Sequence, residues 1–320
     1  MTEAIHYDVI GDIHGRFDKL CRLMELLGYE LGKGGFLPPP GRMALFLGDL
    51  IDPKPGHAQP GGVRQTLLAV KAMCDSGTAL CLMGNHELNA LYFHHRGPDG
   101  RWLRVHGDKN FLMHQGTLDD FQDYIEPGSE WQTIWLPWLR ELPFYLDLGG
   151  IRAVHASWNS DFIQWIGDRN FGDEAFFVAG ATRANPEGDA LETLLKGVEV
   201  QLPAGVSFRD HTGSVRKRIR AKWWEFPRPG IRYDELVFPP DRELPNIPVQ
   251  EGAFDHIPGY PAEAPPVFFG HYLKPADSPL VPECGNVACL DYGAAKDGPL
   301  VAYRWRGENH LTPENYFSQL

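Results

Sequence analysis

The chain has 320 residues, 43% of them hydrophobic, and a formal charge of -12, which suits one large globular domain or two smaller ones. The acidic balance argues against binding nucleic acid through bulk charge, but leaves a phosphorylated substrate open, because a bound cation reverses the local field. The opening MTEAIHYDVIGDIHG has neither the basic nor the apolar region of a secretory leader, and no apolar run approaches the ~18 residues of a membrane span.

The first 90 residues repeat one pattern three times. HYDVI predicts a short buried strand, GDIHGR a loop, and FDKLCRLMELLG an amphipathic helix ended by Gly28. MALFL, then GDLID with a Pro/Gly-rich loop to Gly62, then VRQTLLAVKAMCDSG repeat that order. TALCLM is a third strand, and GNHELNALYFHH opens a further helix. Strands alternating with helices imply a parallel sheet, whose functional loops lie at the carboxyl ends of the strands. From about residue 95 to 140 the chain reads as a helical insertion, with helical stretches at TLDDFQDYI and WLPWLREL. FYLDLGGIRAVHASW predicts a hairpin around Gly149 and Gly150. Residues 160–265 combine a mixed segment, the basic RKRIRAKWWEF and a Pro-rich run to Pro266, too long for a linker and read as a cap or active-site loop. PPVFFGHYL, NVACLDYG and PLVAYRWRG return to strand character and close the domain.

Polar residues collect where the strands end. GDIHG supplies Asp12 and His14, GDLID supplies Asp49 and Asp52, and GNHE supplies Asn85 and His86; His155 follows IRAV, and His271 follows PPVFFG. Carboxylate, amide and imidazole donors suit borderline divalent metals such as Mn, Fe or Zn. Two such ions held side by side need a bridging anion, which one carboxylate of GDLID can provide. The five cysteines, Cys21, Cys74, Cys81, Cys284 and Cys289, form no C-x-x-C pair. They predict buried reduced thiols and a cytoplasmic protein, not a structural zinc site or a disulfide framework.

In order and spacing, GDIHG, GDLID, GNHE, VHA and the later GH resemble the calcineurin-like metallophosphoesterases, especially the serine/threonine-phosphatase-type branch with its bacterial diadenosine-tetraphosphatase-like members. The resemblance covers residues 5–95, about 143–158 and 266–307. It implies one α/β domain over residues 1–320, built as two packed mixed β-sheets flanked by helices, with the helical insertion and the Pro-rich cap added. It also implies two divalent ions, with Mn the first expectation and Fe or Zn as alternatives. Asp12 and His14 match ligands of one ion, Asp49 the bridging carboxylate, and Asn85, His155 and His271 ligands of the other. His86 matches the proton donor to the leaving group, and Asp52 the acid that orients it.

The family normally follows that second acid with an Arg that clamps phosphate; here Pro53 stands in its place. Lys54, Arg183 and the basic run containing Arg216, Arg218 and Arg220 are the replacement candidates for substrate binding. KWWEF either packs the cap onto the core or stacks a nucleobase, and His94 and His95 either extend the site or cap a helix end. The expected activity is hydrolysis of a phosphoester in a small molecule, nucleotide or phosphoprotein. The alternatives are a dinucleoside-polyphosphate hydrolase and a metal-binding interaction protein with a decayed site.

Overall fold

A computed structural model of the protein describes residues 5–32, 34–209, 215–226, 228–240, 244 and 246–319. Nine strands form two main sheets. In chain order they are β1 (His6–Ile10), β2 (Arg42–Phe46), β3 (Ala79–Cys81), β4 (Tyr145–Asp147), β5 (Arg152–Val154), β6 (Val267–Phe269), β7 (Val287–Cys289), β8 (Leu300–Arg304) and β9 (Tyr316–Gln319). The first sheet has the order β9-β8-β1-β2-β3, with β1, β2 and β3 mutually parallel and β8 and β9 added antiparallel. The second has the order β7-β6-β5-β4, with β6 parallel to both neighbours and β4 turned back on β5 as the expected hairpin. Strand β9 is an addition to the sequence reading.

Side-chain alternation explains how the two sheets stack. Val9, Leu45 and Val301 of the first sheet meet Ala153, Phe268 and Ala288 of the second in a shared apolar layer. Their chain neighbours Ile10, Phe46 and Ala302 face the other way, into the core that includes the helices. There, helices α1 (Phe17–Leu26) and α2 (Gly62–Asp75) bury Leu20, Leu23, Leu67 and Val70. α1 stops just before Gly28, which has a φ of 81°; a left-handed residue at that point suits glycine and ends the helix.

The insertion that follows α3 (Asn85–Phe93) contains α4 (Asp108–Asp120), then a π-helical turn at Trp131–Trp135 that continues into α5 (Leu136–Arg140). TLDDFQDYI is thus divided: its first four residues finish α4 and the rest is turn. Residues 160–265 hold more regular structure than their sequence suggests. They include α6 (Ser160–Ile166), α7 (Glu174–Ala179), α8 (Pro186–Lys196) and a hairpin pairing Glu199–Gln201 with Arg218–Arg220. Trp223 and Trp224 are buried, with ring centroids 5.3 and 5.6 Å from that of Phe269 on β6. These two tryptophans therefore fasten the cap to the second sheet and offer no open face to a base. Among the described residues, no helix is long and apolar enough to cross a membrane.

One ion-pair network ties the first sheet together. Asp8 on β1 is fully buried and accepts from Arg42 Nε at 2.8 Å on β2 and from Arg304 Nε at 2.9 Å on β8. Three strands remote in sequence thus share one carboxylate. Breaking a buried pair from one side leaves unpaired charge behind, so Asp8→Ala should lower the unfolding free energy by roughly 3–5 kcal/mol. Urea titration followed by tryptophan fluorescence measures it, and a loss under about 1 kcal/mol, the size of a surface pair, contradicts it.

Candidate active site

The loops that leave β1, β2, β3, β5 and β6 meet at one edge, as the parallel arrangement requires. At their centre is Asp49, 2% exposed, whose two oxygens face different partners. Oδ2 lies 3.5 Å from His14 Nε2 and 4.0 Å from His86 Nε2, while Oδ1 lies 3.4 Å from His155 Nε2. Ligand atoms of His14, Asp49 and His86 come within 4.8 Å of one another, as do those of Asp49, His155 and His271, so Asp49 belongs to both groups. Asn85 Oδ1 lies 3.1 Å from His155 Nε2. Asp12 comes in beside His271, whose backbone N–H it accepts at 2.9 Å through Oδ2.

The imidazoles are aimed by their second nitrogens. His14 Nδ1 donates to the carbonyl of Ile51 at 2.9 Å, and His155 Nδ1 to that of Leu47 at 2.7 Å. In both rings this aims Nε2 at Asp49. His271 Nε2 and Asp12 Oδ1 are buried without a hydrogen-bond partner. Buried polar atoms are nearly always satisfied, so two orphaned acceptors beside these donors fit a divalent cation of the O- and N-ligated kind.

The backbone here departs from its ordinary preferences. Among the described residues, the non-glycine positions with positive φ are His14 (50°), Asp49 (50°), Asp52 (61°) and His271 (62°), all of them site residues. Such conformations persist only where surrounding contacts over-determine them, and hydrogen bonds do so here. The carbonyl of Asp49 accepts the N–H groups of Ile13 and His14 at 3.1 and 2.8 Å, locking the first loop to the second. Glu87, fully buried, accepts the N–H groups of Asp49 and Gly84 through Oε2 at 2.8 and 2.9 Å, and that of Leu50 through Oε1 at 2.8 Å. It locks the second loop to the third. A Cβ on Gly84 would lie 2.3 Å from both the N and the Oδ1 of Asp49, so only glycine lets the two loops come this close.

Burial and neighbouring charge pull these groups apart electrostatically. Burial alone would raise the Asp49 carboxyl, but His155 and His86 hold it well below the usual carboxylate range. Burial lowers His155, yet the charge of Asp49 and its bond to that residue outweigh this and bring it up to about 10. His14 falls to about 4 through burial, and His271 falls through burial and the nearby Arg220. Asp12 rises through burial and the charge of Asp291, a buried acid two residues beyond β7. Burial and Asp49 push Glu87 up to about 7, against the three N–H groups that favour its ionised form.

Asp52 serves another purpose. Its Oδ2 lies 2.8 Å from His86 Nδ1, and its Oδ1 accepts from Thr117 Oγ1 and from His114 Nδ1, each at 2.6 Å. Although burial raises the Asp52 carboxyl, His114 and His86 more than reverse this, so it stays ionised. Burial lowers His86, but Asp49 and Asp52 raise it overall.

The expected substrate-binding cations divide into two sets. Lys54 lies close enough for its charge to lower both His14 and His86, and Arg220 Nη1 donates to the carbonyl of His271 at 3.4 Å. Arg183 is instead engaged by Glu192 at 2.9 Å and Arg218 by Gln201 at 2.9 Å, while Arg216 lies exposed on the short hairpin of Phe208–Arg209 with Val215–Arg216. His94 joins the site indirectly through His114, and His95 pairs with Glu174 at 2.8 Å.

Glu87, His114, Thr117 and Asp291 are additions to the sequence reading. His114 and Thr117, with Asp120 three residues further on, share one face of α4, and Asp120 accepts the N–H groups of Gly61 and Val63 at the start of α2. Pro53 is buried against the same helix: a Cβ on Gly116 would lie 2.6 Å from its Cγ. The position where the resemblance implies a clamping Arg is thus covered by the insertion.

A family model for calcineurin-like phosphoesterases matches residues 5–186, more than half of the chain. The chain belongs to the calcineurin-like phosphoesterase family. It is a hydrolase of phosphoester bonds that employs divalent metal ions. Among similar proteins, the asymmetrical bis(5'-nucleosyl)-tetraphosphatase PrpE of Halalkalibacterium halodurans is 30% identical over 189 residues, covering 58% of this phosphoesterase and 70% of that protein. PrpE of Bacillus cereus strain B4264 is 35% identical over 189 residues, covering 57% and 69%. A cold-active protein-tyrosine phosphatase of a psychrophilic Shewanella aligns over 99% of this phosphoesterase and 82% of its own chain, with 15% identity and a TM-score of 0.47. The family match ends before His271, which the sheet topology alone brings to the edge.

Glu87→Gln in this phosphoesterase sets an amide N–H against a backbone N–H of the second or third loop. Losing one hydrogen bond to a charged group should cost roughly 1.5–3 kcal/mol of stability and weaken metal retention, because Asp49 and Asn85 lie in the loops it joins. Urea titration and elemental analysis of the same preparation check both. An unchanged midpoint with full metal content contradicts the assignment.

Proposed function

We propose that residues 1–320 form one catalytic unit that hydrolyses phosphomonoesters in the cytoplasm, with His86 as proton donor and a dinuclear centre, preferentially of Mn, held across Asp49. One observation carries this reading: Asp49 belongs to both potential ligand groups, and His86, a member of one of them, is tied through Nδ1 to Asp52. Asp12 and His14 would hold one ion and Asn85, His155 and His271 the other, with Asp49 between them. When bound, two divalent ions supply Lewis acidity toward phosphate and an acidified water as nucleophile. The remaining work belongs to the side chains. Asp52 accepts Nδ1–H of His86, which fixes the tautomer, raises basicity and leaves Nε2 free to carry a proton to the departing oxygen. Lys54 and Arg220 supply positive charge for substrate phosphate in place of the missing Arg. The cytoplasmic placement rests on the odd, unpatterned set of cysteines.

A second reading, hydrolysis of a dinucleoside polyphosphate, is favoured by the names of the PrpE relatives. Chromatography of the products separates the two. An asymmetrical cut of a dinucleoside tetraphosphate gives a nucleoside monophosphate and a triphosphate, a symmetrical cut gives two diphosphates, and a phosphomonoesterase leaves the dinucleotide intact.

The proton-donor role is tested with His86→Asn on an alkyl phosphate and on nitrophenyl phosphate, with Mn added. Full metal content should be retained and kcat for the alkyl ester should fall by about 10²–10⁴, with a smaller loss for nitrophenolate, which needs less protonation. Equal losses on the two esters would sink the assignment. For the phosphate contact, Arg220→Ala should raise KM about tenfold or more, the size of one charge-assisted bond, whereas Arg183→Ala, already paired with Glu192, should change it less than twofold. Steady-state kinetics at fixed ionic strength decides between them.

A further inference from the structure

A carboxylate that orients an imidazole must itself be held, or it turns about its own bond and takes the ring with it. Three side chains converge on Asp52, and the two on Oδ1, His114 and Thr117, both come from α4. His114 is 4% exposed and has a further partner: its Nε2 lies 3.1 Å from His94 Nε2. One hydrogen occupies the space between two ring nitrogens at that distance. With Nδ1–H of His114 directed at the ionised Asp52, its Nε2 is the acceptor and His94 Nε2–H the donor. Burial brings His94 down to about 3, in keeping with a neutral ring. The hydrogen bonds then run without conflict from His94 to His114 to Asp52, meeting the bond that arrives from His86.

Aromatic packing fixes the two outer rings. The His94 ring centroid lies 5.6 Å from that of Tyr124 and 5.7 Å from that of Trp131, and His114 lies 5.3 Å from Phe93 and 5.9 Å from Trp131. Neither ring reaches Asp49, and neither belongs to the groups able to hold a metal.

We propose that His114, held in turn by His94, is a positioning residue for the reaction: acting through Asp52, it sets the ring of His86 so that Nε2 faces the departing oxygen. This rests on the proton-donor reading of His86. Chains of hydrogen bonds polarise one another in a low-dielectric interior, so removal of the far member is felt at the near one. A role confined to packing α4 against the core is the competing explanation, and it makes different demands on kinetics.

The test uses the full chain with Mn added, an alkyl phosphate and nitrophenyl phosphate. His114→Phe keeps a ring of similar size but removes the donor to Asp52. It should lower kcat on the alkyl ester about tenfold, part of the span of a general acid, and much less on the nitrophenyl ester, with KM and metal content unchanged. His114→Asn, whose amide N–H stands near the place of Nδ1–H, should restore most of the loss. In a His86→Asn background, His114→Phe should add nothing, because its effect passes through the residue already removed. Equal losses on both esters, or the same factor again in the His86→Asn background, would overturn the proposal.

If His114→Phe does not fold, His94→Phe provides the same comparison one bond further away, with a smaller loss that is again confined to the alkyl ester; an equal loss on both esters overturns the proposal. A readout independent of turnover is the nitrogen NMR of the imidazole rings in metal-free protein. His114 should carry its hydrogen on Nδ1 and His94 on Nε2, and the opposite tautomers would overturn the proposal. Failure of the underlying reading looks different: His86→Asn itself would then lose equally on both esters, whereas a selective His86→Asn beside a non-selective His114→Phe refutes the positioning role alone.

Discussion

A carboxylate shared by two groups of potential metal ligands cannot be left to choose its own orientation. Asp49 meets that demand through its backbone and through Oδ1, which accepts the N–H of His86 at 2.9 Å. Its N–H is held by Glu87, its carbonyl takes two N–H groups from the first loop, and its φ of 50° follows from those bonds. Most other features of the edge can be read as support for this residue. Gly84 is small so that the third loop can lie against it, Glu87 is buried so that its oxygens reach two loops, and His14 and His155 spend one ring nitrogen each on a carbonyl so that the other points inward. Parallel strands supply the geometry at no additional cost, because their carboxyl ends lie on one side by construction.

Local sequence carried the donors but not their supports. Asp12, His14, Asp49, Asp52, Asn85, His86, His155 and His271 each follow a short apolar strand, and strand endings are legible because the apolar pattern stops abruptly there. His114 and Thr117 lie in an amphipathic stretch with no distinguishing word, and they meet Asp52 only because α4 folds back across more than sixty residues. A spacing of three between His114, Thr117 and Asp120 marks a polar helical face, which by itself says no more than that the face meets something polar. Glu87 stood in plain view within GNHE, but its partners are backbone groups, and backbone groups leave no mark in a sequence. Strand β9 and the paired strands of residues 160–265 were missed for a related reason: short strands of two to four residues carry too little pattern to be told from loop.

The two insertions divide the edge between them. α4 lies against the GDLID loop, with Gly116 on Pro53 and His114 and Thr117 on Asp52, and so attends to the acid. The cap hairpin brings Arg220 to the carbonyl of His271, on the opposite side of Asp49. Burying Pro53 under a helix makes a long, flexible side chain at that position incompatible with the helix above it. Lys54 and Arg220 both lie within electrostatic reach of site histidines.

Four side-chain-bearing residues in left-handed backbone, gathered at one edge, also say something about how far this fold is from its own optimum. Each such residue holds on the order of 1–3 kcal/mol of conformational strain, which glycine would relieve. Taken purely as a folding problem, the edge is badly composed: acids and imidazoles are packed together, four of them in left-handed backbone. A selection for heat resistance alone would be drawn to these positions first and would erase the donors while improving the scaffold. The molecule is least well made as a solid where it is best made as a catalyst, and the interior beneath β1, β2 and β3 is what allows it to be both.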